Sequence, residues 1–350
     1  MSDVTREGLR GARPGREGTT RMNTGPGGTA QPARRWRRKS RAEAPMVPDA
    51  AFTSYYGKPI LNQPTWEPAD IAGYLFLGGL AGAGSAIAAG AQFTGRPALA
   101  RTLKCGSAAA AGLSLAALVH DLGRPARFLN MLRTIKPTSP MSIGSWLLAG
   151  YAPLAAAAAA SDLAGRLPAA GTTATTAAAL AGPAVATYTA ALIADTAVPA
   201  WHDGYRYLPF VFAASAVAAA AGLGLAGAPL HENEPVLRLG VLAGAAGIIT
   251  EKVMEKRMGL PGQAYEKGRA KKAGDLARAV TAAGVLVAAV AGRRRRATAA
   301  AAGVALVAGS ALTRFSIFYA GLNSAEDPKY TVVPQRQRLE ARAAQAGHPA

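Results

Sequence analysis

The chain has few of the residues that bind redox metals. Its 350 residues include one cysteine and four histidines. A single thiol, Cys105, excludes an intrachain disulfide and a cysteine-ligated iron–sulfur cluster. Only His120 lies near an apolar segment, and the other histidines fall in loops or in the tail (His202, His231 and His348). Because membrane haem needs paired histidines within helices, the sequence predicts neither haem nor an iron–sulfur cluster in this chain.

Acidic residues are also scarce. The chain has 39 Lys and Arg against 20 Asp and Glu, which gives a formal net charge of +19. The basic residues gather at positions 34–41, 252–272 and 293–296. In a soluble protein such clusters suggest nucleic acid. Beside apolar segments they are better explained by membrane orientation and by anionic lipid head groups, so we expect membrane lipid and no nucleic acid as a partner.

Long apolar runs dominate the rest of the sequence. Several reach the roughly 18–20 residues that are needed to cross the hydrocarbon core of a bilayer. The sequence therefore predicts an all-α polytopic protein of the cell membrane with about eight transmembrane helices. These predicted spans lie near residues 70–94, 104–120, 142–161, 172–195, 207–229, 236–251, 275–292 and 297–320. Glycines such as Gly82 and Gly222 are expected to permit close helix contacts.

The ends of the chain differ in composition from its middle. Residues 1–64 are predicted to be a disordered basic tail, 65–325 a transmembrane domain and 326–350 a polar tail. No apolar segment of the signal-peptide type precedes residue 70, so we expect no cleaved secretory signal. The basic residues near the predicted spans favour cytoplasmic termini, but the arginines at 293–296 fall on the opposite side. The orientation in the membrane therefore stays open.

The polar loop after the second span carries the groups best suited to chemistry. His120 and Asp121 end that span, and Arg124 follows within about one turn. An interfacial histidine can transfer protons at neutral pH. His120 or Asp121 is thus a candidate to take up or give the proton that accompanies quinol chemistry. In the alternative interpretation, His120 extends to water and Asp121 pairs with an arginine.

Three stretches of the sequence resemble the NrfD/polysulfide-reductase (NrfD/PsrC) membrane-subunit family. The first is His-Asp-Leu-Gly-Arg-Pro at 120–125 with its continuation to 142. The others are 73–82 in the first span and the residues 199–201 with 208–216. The likeness covers roughly residues 65–325. It implies eight helices in two four-helix bundles, without haem. The basic N-terminal tail and the arginines at 293–296 depart from the family pattern.

The resemblance also implies a function. Members of this kind are integral membrane subunits that interact with quinone or quinol, with menaquinone as one such diffusible ligand. They dock a four-cluster iron–sulfur subunit, which exchanges electrons with a molybdopterin catalytic subunit, and they catalyse no complete reaction alone. Carried over by position, the catalytic candidates are His120 and Asp121. The candidates for quinone binding are Arg124, Tyr74 and Tyr151, and no metal site is implied.

Two other functions are compatible with the residues alone. A secondary transporter would have inverted repeats and broken helices, and the sequence has no clear internal repeat. A structural membrane anchor without quinone chemistry is the second alternative. Arg314 lies within the last span, and a buried guanidinium needs a carboxylate or carbonyl partner. We expect a structural ion pair with one of three acids on its side (Asp121, Asp195 and Glu251).

Overall fold

The computed structural model describes residues 60–123 and 126–346. All regular secondary structure in this part of the chain is helical, and the predicted all-α class is confirmed. The chain divides into two compact units, of which one is Gln63–Ala325. The residues from Glu326 onward belong to the other unit. Most of the predicted N-terminal tail lies outside the described residues.

Eleven α-helices follow one another in the described residues. They are α1 (Pro68–Phe93), α2 (Pro97–Asp121), α3 (Ala126–Met131), α4 (Pro140–Ala164), α5 (Pro168–Ala194), α6 (Pro199–His202), α7 (Leu208–Gly227), α8 (Glu234–Arg257), α9 (Gly268–Ala291), α10 (Arg296–Glu326) and α11 (Lys329–Ala346). Two short 3-10 turns, Leu230–Glu232 and Pro261–Glu266, precede and follow α8.

Local sequence explains where the long helices begin. Four of them start with a proline (Pro68, Pro97, Pro140 and Pro168). Proline suits this position because the first N–H groups of a helix have no intrahelical partner and its fixed φ is already helical. At the other end of α4, Gly165 has a φ of 61°, a left-handed conformation that favours glycine and stops the helix.

Seven of the described helices are long and apolar enough to cross a membrane, namely α1, α2, α4, α5, α7, α9 and α10. Helix α8, which contains the predicted span 236–251, is not among them. It continues to Arg257 and carries charged residues along its second half. Helix α2 begins seven residues before its predicted span. Its two early cations share one acidic partner, since Arg101 and Lys104 pair with Asp162 of α4 at 2.8 and 3.2 Å.

The eight long helices before α11 form two four-helix bundles, as predicted. In the first bundle, α1 packs against α2 and α5, and α4 packs against the same two helices. In the second, α8 packs against α7 and α9. Helix α10 closes this ring through contacts of Ala305 with Gly284 of α9 and of Gly303 with Gly222 of α7. Helix α7 also packs against α1, α2 and α5 and so joins the two bundles.

Small residues set the closest helix crossings. A Cβ atom on Gly82 of α1 would overlap the carbonyl of Gly182 of α5, and the reverse holds as well. Gly222 and Gly303 make the equivalent contact between α7 and α10. The close contacts predicted for Gly82 and Gly222 are therefore confirmed, and they match the use of glycine where helices approach in lipid.

One end of the two bundles gathers residues from both. Trp66, just before α1, stacks on Trp201 of α6 with ring centroids 5.8 Å apart. The Trp201 indole is fully buried and donates to the carbonyl of Ile317 in α10 at 2.8 Å. This end, which also contains the start of α1 and the end of α2, is called the site end below.

Candidate functional site

His120 forms a short contact with an aspartate at the site end. Its Nδ1 lies 2.6 Å from Oδ2 of Asp70, which is in the first turn of α1. The antiparallel packing of α1 and α2 brings these two residues together. The imidazole is 79% exposed, whereas the Asp70 side chain is 18% exposed. The carboxylate therefore fixes the orientation of the ring and leaves Nε2 available to another partner.

Asp121 has a different partner from its neighbour. Its Oδ1 accepts a hydrogen bond of 3.4 Å from the backbone N–H of Glu67, the residue before α1. Adjacent residues on a helix point about 100° apart, which explains why His120 and Asp121 contact different groups. Arg124 lies outside the described residues, so its part in the site stays a prediction.

Tyr74 lies one helical turn deeper than Asp70, on the same face of α1. Its side chain is buried, and its hydroxyl is hydrogen-bonded to the hydroxyl of Tyr188 in α5. Its carbonyl accepts from Oγ of Ser114 in α2 at 3.2 Å. At 1.5 Å per residue, Tyr74 is about 6 Å further along the α1 axis than Asp70. The structure thus places Tyr74 near the His120 pair.

Tyr151 is not part of this group. It is buried in α4, where its hydroxyl donates to the carbonyl of Ala81 at 2.5 Å and lies 2.8 Å from Oγ of Ser85. Ser85 is about 22 Å along α1 from Asp70 by the helical rise. Of the predicted residues, Tyr74 therefore lies one helical turn from Asp70, the partner of His120, and Asp121 is next to His120 in sequence. Tyr151 lies deep inside the bundle.

Three residues of this site were not predicted from the sequence. Asp70 and Tyr74 are four positions apart on one helix, and this spacing could have indicated Asp70. Tyr188 and Ser114 are distant in sequence from Tyr74, and only the packing of α5 and α2 against α1 reveals them.

The predicted ion pair of Arg314 is not formed. The Nη2 atom of Arg314 donates to the carbonyl of Phe212 at 3.0 Å. Its Cζ atom lies 3.8 Å from the centroid of the Phe212 ring. Glu251 instead contacts Nη1 of Arg278 in α9 at 2.7 Å. The prediction failed because Arg278, in the first half of α9, occupies the carboxylate that the sequence had offered to Arg314.

Comparison with known proteins gives a family match for the first part of the chain, from α1 to α7. Residues 61–230 match the family model described as "Polysulphide reductase, NrfD". The chain carries an NrfD domain. The match includes α1 to α7 and all five predicted site residues, and the predicted resemblance is confirmed. It ends at residue 230, before α8 to α10. No curated protein matches the chain.

The NrfD domain and the apolar helices together identify a multi-pass membrane protein. An NrfD domain implies a membrane subunit of a polysulfide reductase-like complex. Members of the family partner with iron–sulfur and molybdenum oxidoreductase subunits.

Proposed function

We propose that this chain exchanges electrons between the membrane quinone pool and the iron–sulfur subunit of a molybdopterin oxidoreductase complex. The observation that carries the proposal is the His120–Asp70 pair with the Tyr74–Tyr188 pair one turn deeper, all within the residues that match NrfD. A diffusible quinone such as menaquinone supplies the two-electron chemistry when it is bound.

The groups present at the site end fit a quinone head group. Such a ligand needs hydrogen-bond partners for its oxygens within apolar surroundings. Of the two hydroxyls of Tyr74 and Tyr188, one donates to the other, which leaves one hydroxyl proton for a ligand. Nε2 of His120 is a second possible donor. The two tyrosine rings add apolar surface beside these donors.

The residues of the chain then have separate roles. His120 holds or accepts a proton at Nε2, as a general acid or base does. Asp70 orients the His120 ring through Nδ1. Asp121 links the end of α2 to the start of α1 through the backbone of Glu67. The proposed role of Arg124 is contact with the head group.

The test is to purify the full-length chain with its co-eluting subunits from membranes. Those subunits are identified, and bound menaquinone and quinol oxidation are measured. We expect His120→Ala to lower quinol oxidation about 100-fold or more while the subunits still co-purify, because a positioned acid or base contributes about that much. Asp121→Asn should lower it less, since this carboxylate contacts the backbone rather than His120. His231→Ala, an exposed histidine far from α2's last turn, is the matched control.

Several results would contradict the proposal. Full quinol oxidation in both His120→Ala and Asp70→Asn would remove this pair from the chemistry. Purification of the chain with stoichiometric haem would contradict the interpretation that a quinone is its only redox ligand. Co-elution of the redox subunits without any bound or oxidisable menaquinone would favour the structural anchor, and solute transport by the chain alone would favour a transporter.

A further inference from the structure

The second bundle contains a small, partly open cavity that the proposed quinone site does not use. It lies among α7, α8, α9 and α10, and its polar lining consists of four hydroxyl residues and one ion pair (Ser215, Thr281, Ser310, Thr313, Glu251 and Arg278). The hydroxyls of Ser215 and Ser310 are 2.7 Å apart. The space open to the centre of a water molecule is about 20 Å³, which is enough for about one water.

Glu251 is a buried carboxylate, and the cation that balances its charge also contacts two other acids. Its side chain is 5% exposed and contacts Nη1 of Arg278 at 2.7 Å. The same nitrogen contacts Glu255 at 2.8 Å, and Nη2 contacts Asp275 at 2.6 Å. One guanidinium thus serves three carboxylates. If Arg278 shifts toward Glu255 and Asp275, Glu251 has to take up a proton, because an unpaired buried carboxylate is too costly.

The ion cluster extends from the cavity to the surface of the protein. The Asp275 side chain is 51% exposed and pairs with Lys271 at 2.7 Å. Lys252 pairs with Glu255 at 3.0 Å on the other side of Arg278. The remaining titratable group near the cluster is Tyr265 of the 3-10 turn Pro261–Glu266. Burial and the nearby charge of Glu251 raise the pKa of the Tyr265 hydroxyl, so this hydroxyl stays neutral.

A second buried charge lies on α10, next in sequence to a residue that lines the cavity. Arg314 is fully buried, and its Nε and Nη1 have no hydrogen-bond partner within the described residues. Thr313, the residue before it, lines the cavity, and Glu251 is the acid whose charge acts on Arg314 through space. A buried donor without a partner is costly. A water beside Arg314 would satisfy these donors.

We propose that Glu251 is a proton-exchange site of the second bundle, reached from the protein surface past Asp275 and Arg278. The step is an acid–base exchange. A hydronium ion that enters past Asp275 gives its proton to a carboxylate oxygen of Glu251 and becomes water, and the reverse step returns the proton. No electron is transferred, and the proposal does not rest on quinone binding in the first bundle.

The experiment uses dicyclohexylcarbodiimide, which reacts with protonated carboxyl groups in apolar surroundings. The full-length chain in lipid nanodiscs is treated over a series of pH values, and the modified peptide is located by mass spectrometry. We expect modification at Glu251 that increases as the pH falls, and its loss in Glu251→Gln. Glu234→Gln is the matched control, because this exposed glutamate pairs with Arg238 and Arg293 at the other end of α8. It should leave the modification of Glu251 unchanged.

A second variant separates proton exchange from a merely structural ion pair. Arg278→Gln removes the cation that keeps Glu251 charged, so the pH of half-modification should rise by about one unit, a roughly tenfold increase at a fixed higher pH. An unchanged pH dependence in this variant would overturn the proposal. So would an unmodified Glu251 in the wild-type chain at every pH at which the chain stays folded, a result that needs no variant to fold.

Discussion

Two buried tyrosines of the first bundle differ in how their hydroxyls are used. The Tyr151 hydroxyl donates to the Ala81 carbonyl and accepts from Ser85, so its hydrogen-bonding capacity is largely satisfied within the protein. The hydroxyl pair of Tyr74 and Tyr188 keeps one proton free for another acceptor. Identical residue types in one bundle therefore have different expected roles, and the sequence alone assigned both to the quinone.

This difference gives a residue-scale prediction. Tyr151→Phe should lower the free energy of unfolding by about 1–3 kcal/mol, because it leaves buried partners without a hydrogen bond. It should not change the menaquinone content of the purified chain. Tyr74→Phe should lower the menaquinone content with a smaller effect on stability. Thermal unfolding in detergent and quinone extraction measure the two quantities, and Tyr205→Phe, an exposed tyrosine, is the control. The opposite pattern would exchange the roles of the two residues.

At the scale of elements, the start of α2 depends on a distant residue. Arg96, which precedes the helix, provides no side-chain cap. Instead Oε2 of Glu232 accepts from the backbone N–H of Leu99 at 2.7 Å. Glu232 is buried in the 3-10 turn that precedes α8. A negative charge at a helix N-terminus is favourable, and here it also links the first bundle to the connection between α7 and α8.

Removing this contact should therefore destabilise the whole chain. We expect Glu232→Ala to lower the free energy of unfolding by about 1–2 kcal/mol, the usual effect of losing a helix cap. His231→Ala changes the adjacent residue, whose side chain is 79% exposed, and should stay within about 0.5 kcal/mol of the wild type. Thermal unfolding of the three proteins in the same detergent measures both effects. Equal stability of Glu232→Ala and His231→Ala would show that the carboxylate does not stabilise α2.

The sequence predicted the helices better than their ends. Apolar length located the seven helices that can cross a membrane, because the thickness of the hydrocarbon core sets a minimum for each. It placed the start of α2 too late, since Arg101 and Lys104 share an ion pair with Asp162, a contact distant in sequence. The site shows the same limit. His120 was predicted from its position at a span end. The spacing of Asp70 from Tyr74 could have indicated this aspartate, but its pairing with His120 depends on the packing of α1 against α2.

At the scale of the whole molecule, α7 is shared by both bundles. It packs against α1, α2 and α5 on one side and against α8 on another. Gly222 of α7 contacts Gly303, and Ser215 is hydrogen-bonded to Ser310, both on α10. The residues that match NrfD end just after this helix. They therefore include one helix whose contacts depend on the rest of the chain.

A chain that ends at residue 230 should consequently fail to fold as a single species. Its α7 would expose a small-residue face and the Ser215 hydroxyl to lipid, where helix association depends on close packing and on such polar contacts. We expect size-exclusion chromatography in detergent to show aggregates, and co-expression of residues 231–350 to restore a single peak at the position of the full-length chain. The co-expressed halves are the control for the break itself. A monodisperse, thermally stable chain of residues 1–230 would instead show that the first bundle and α7 fold without the second bundle.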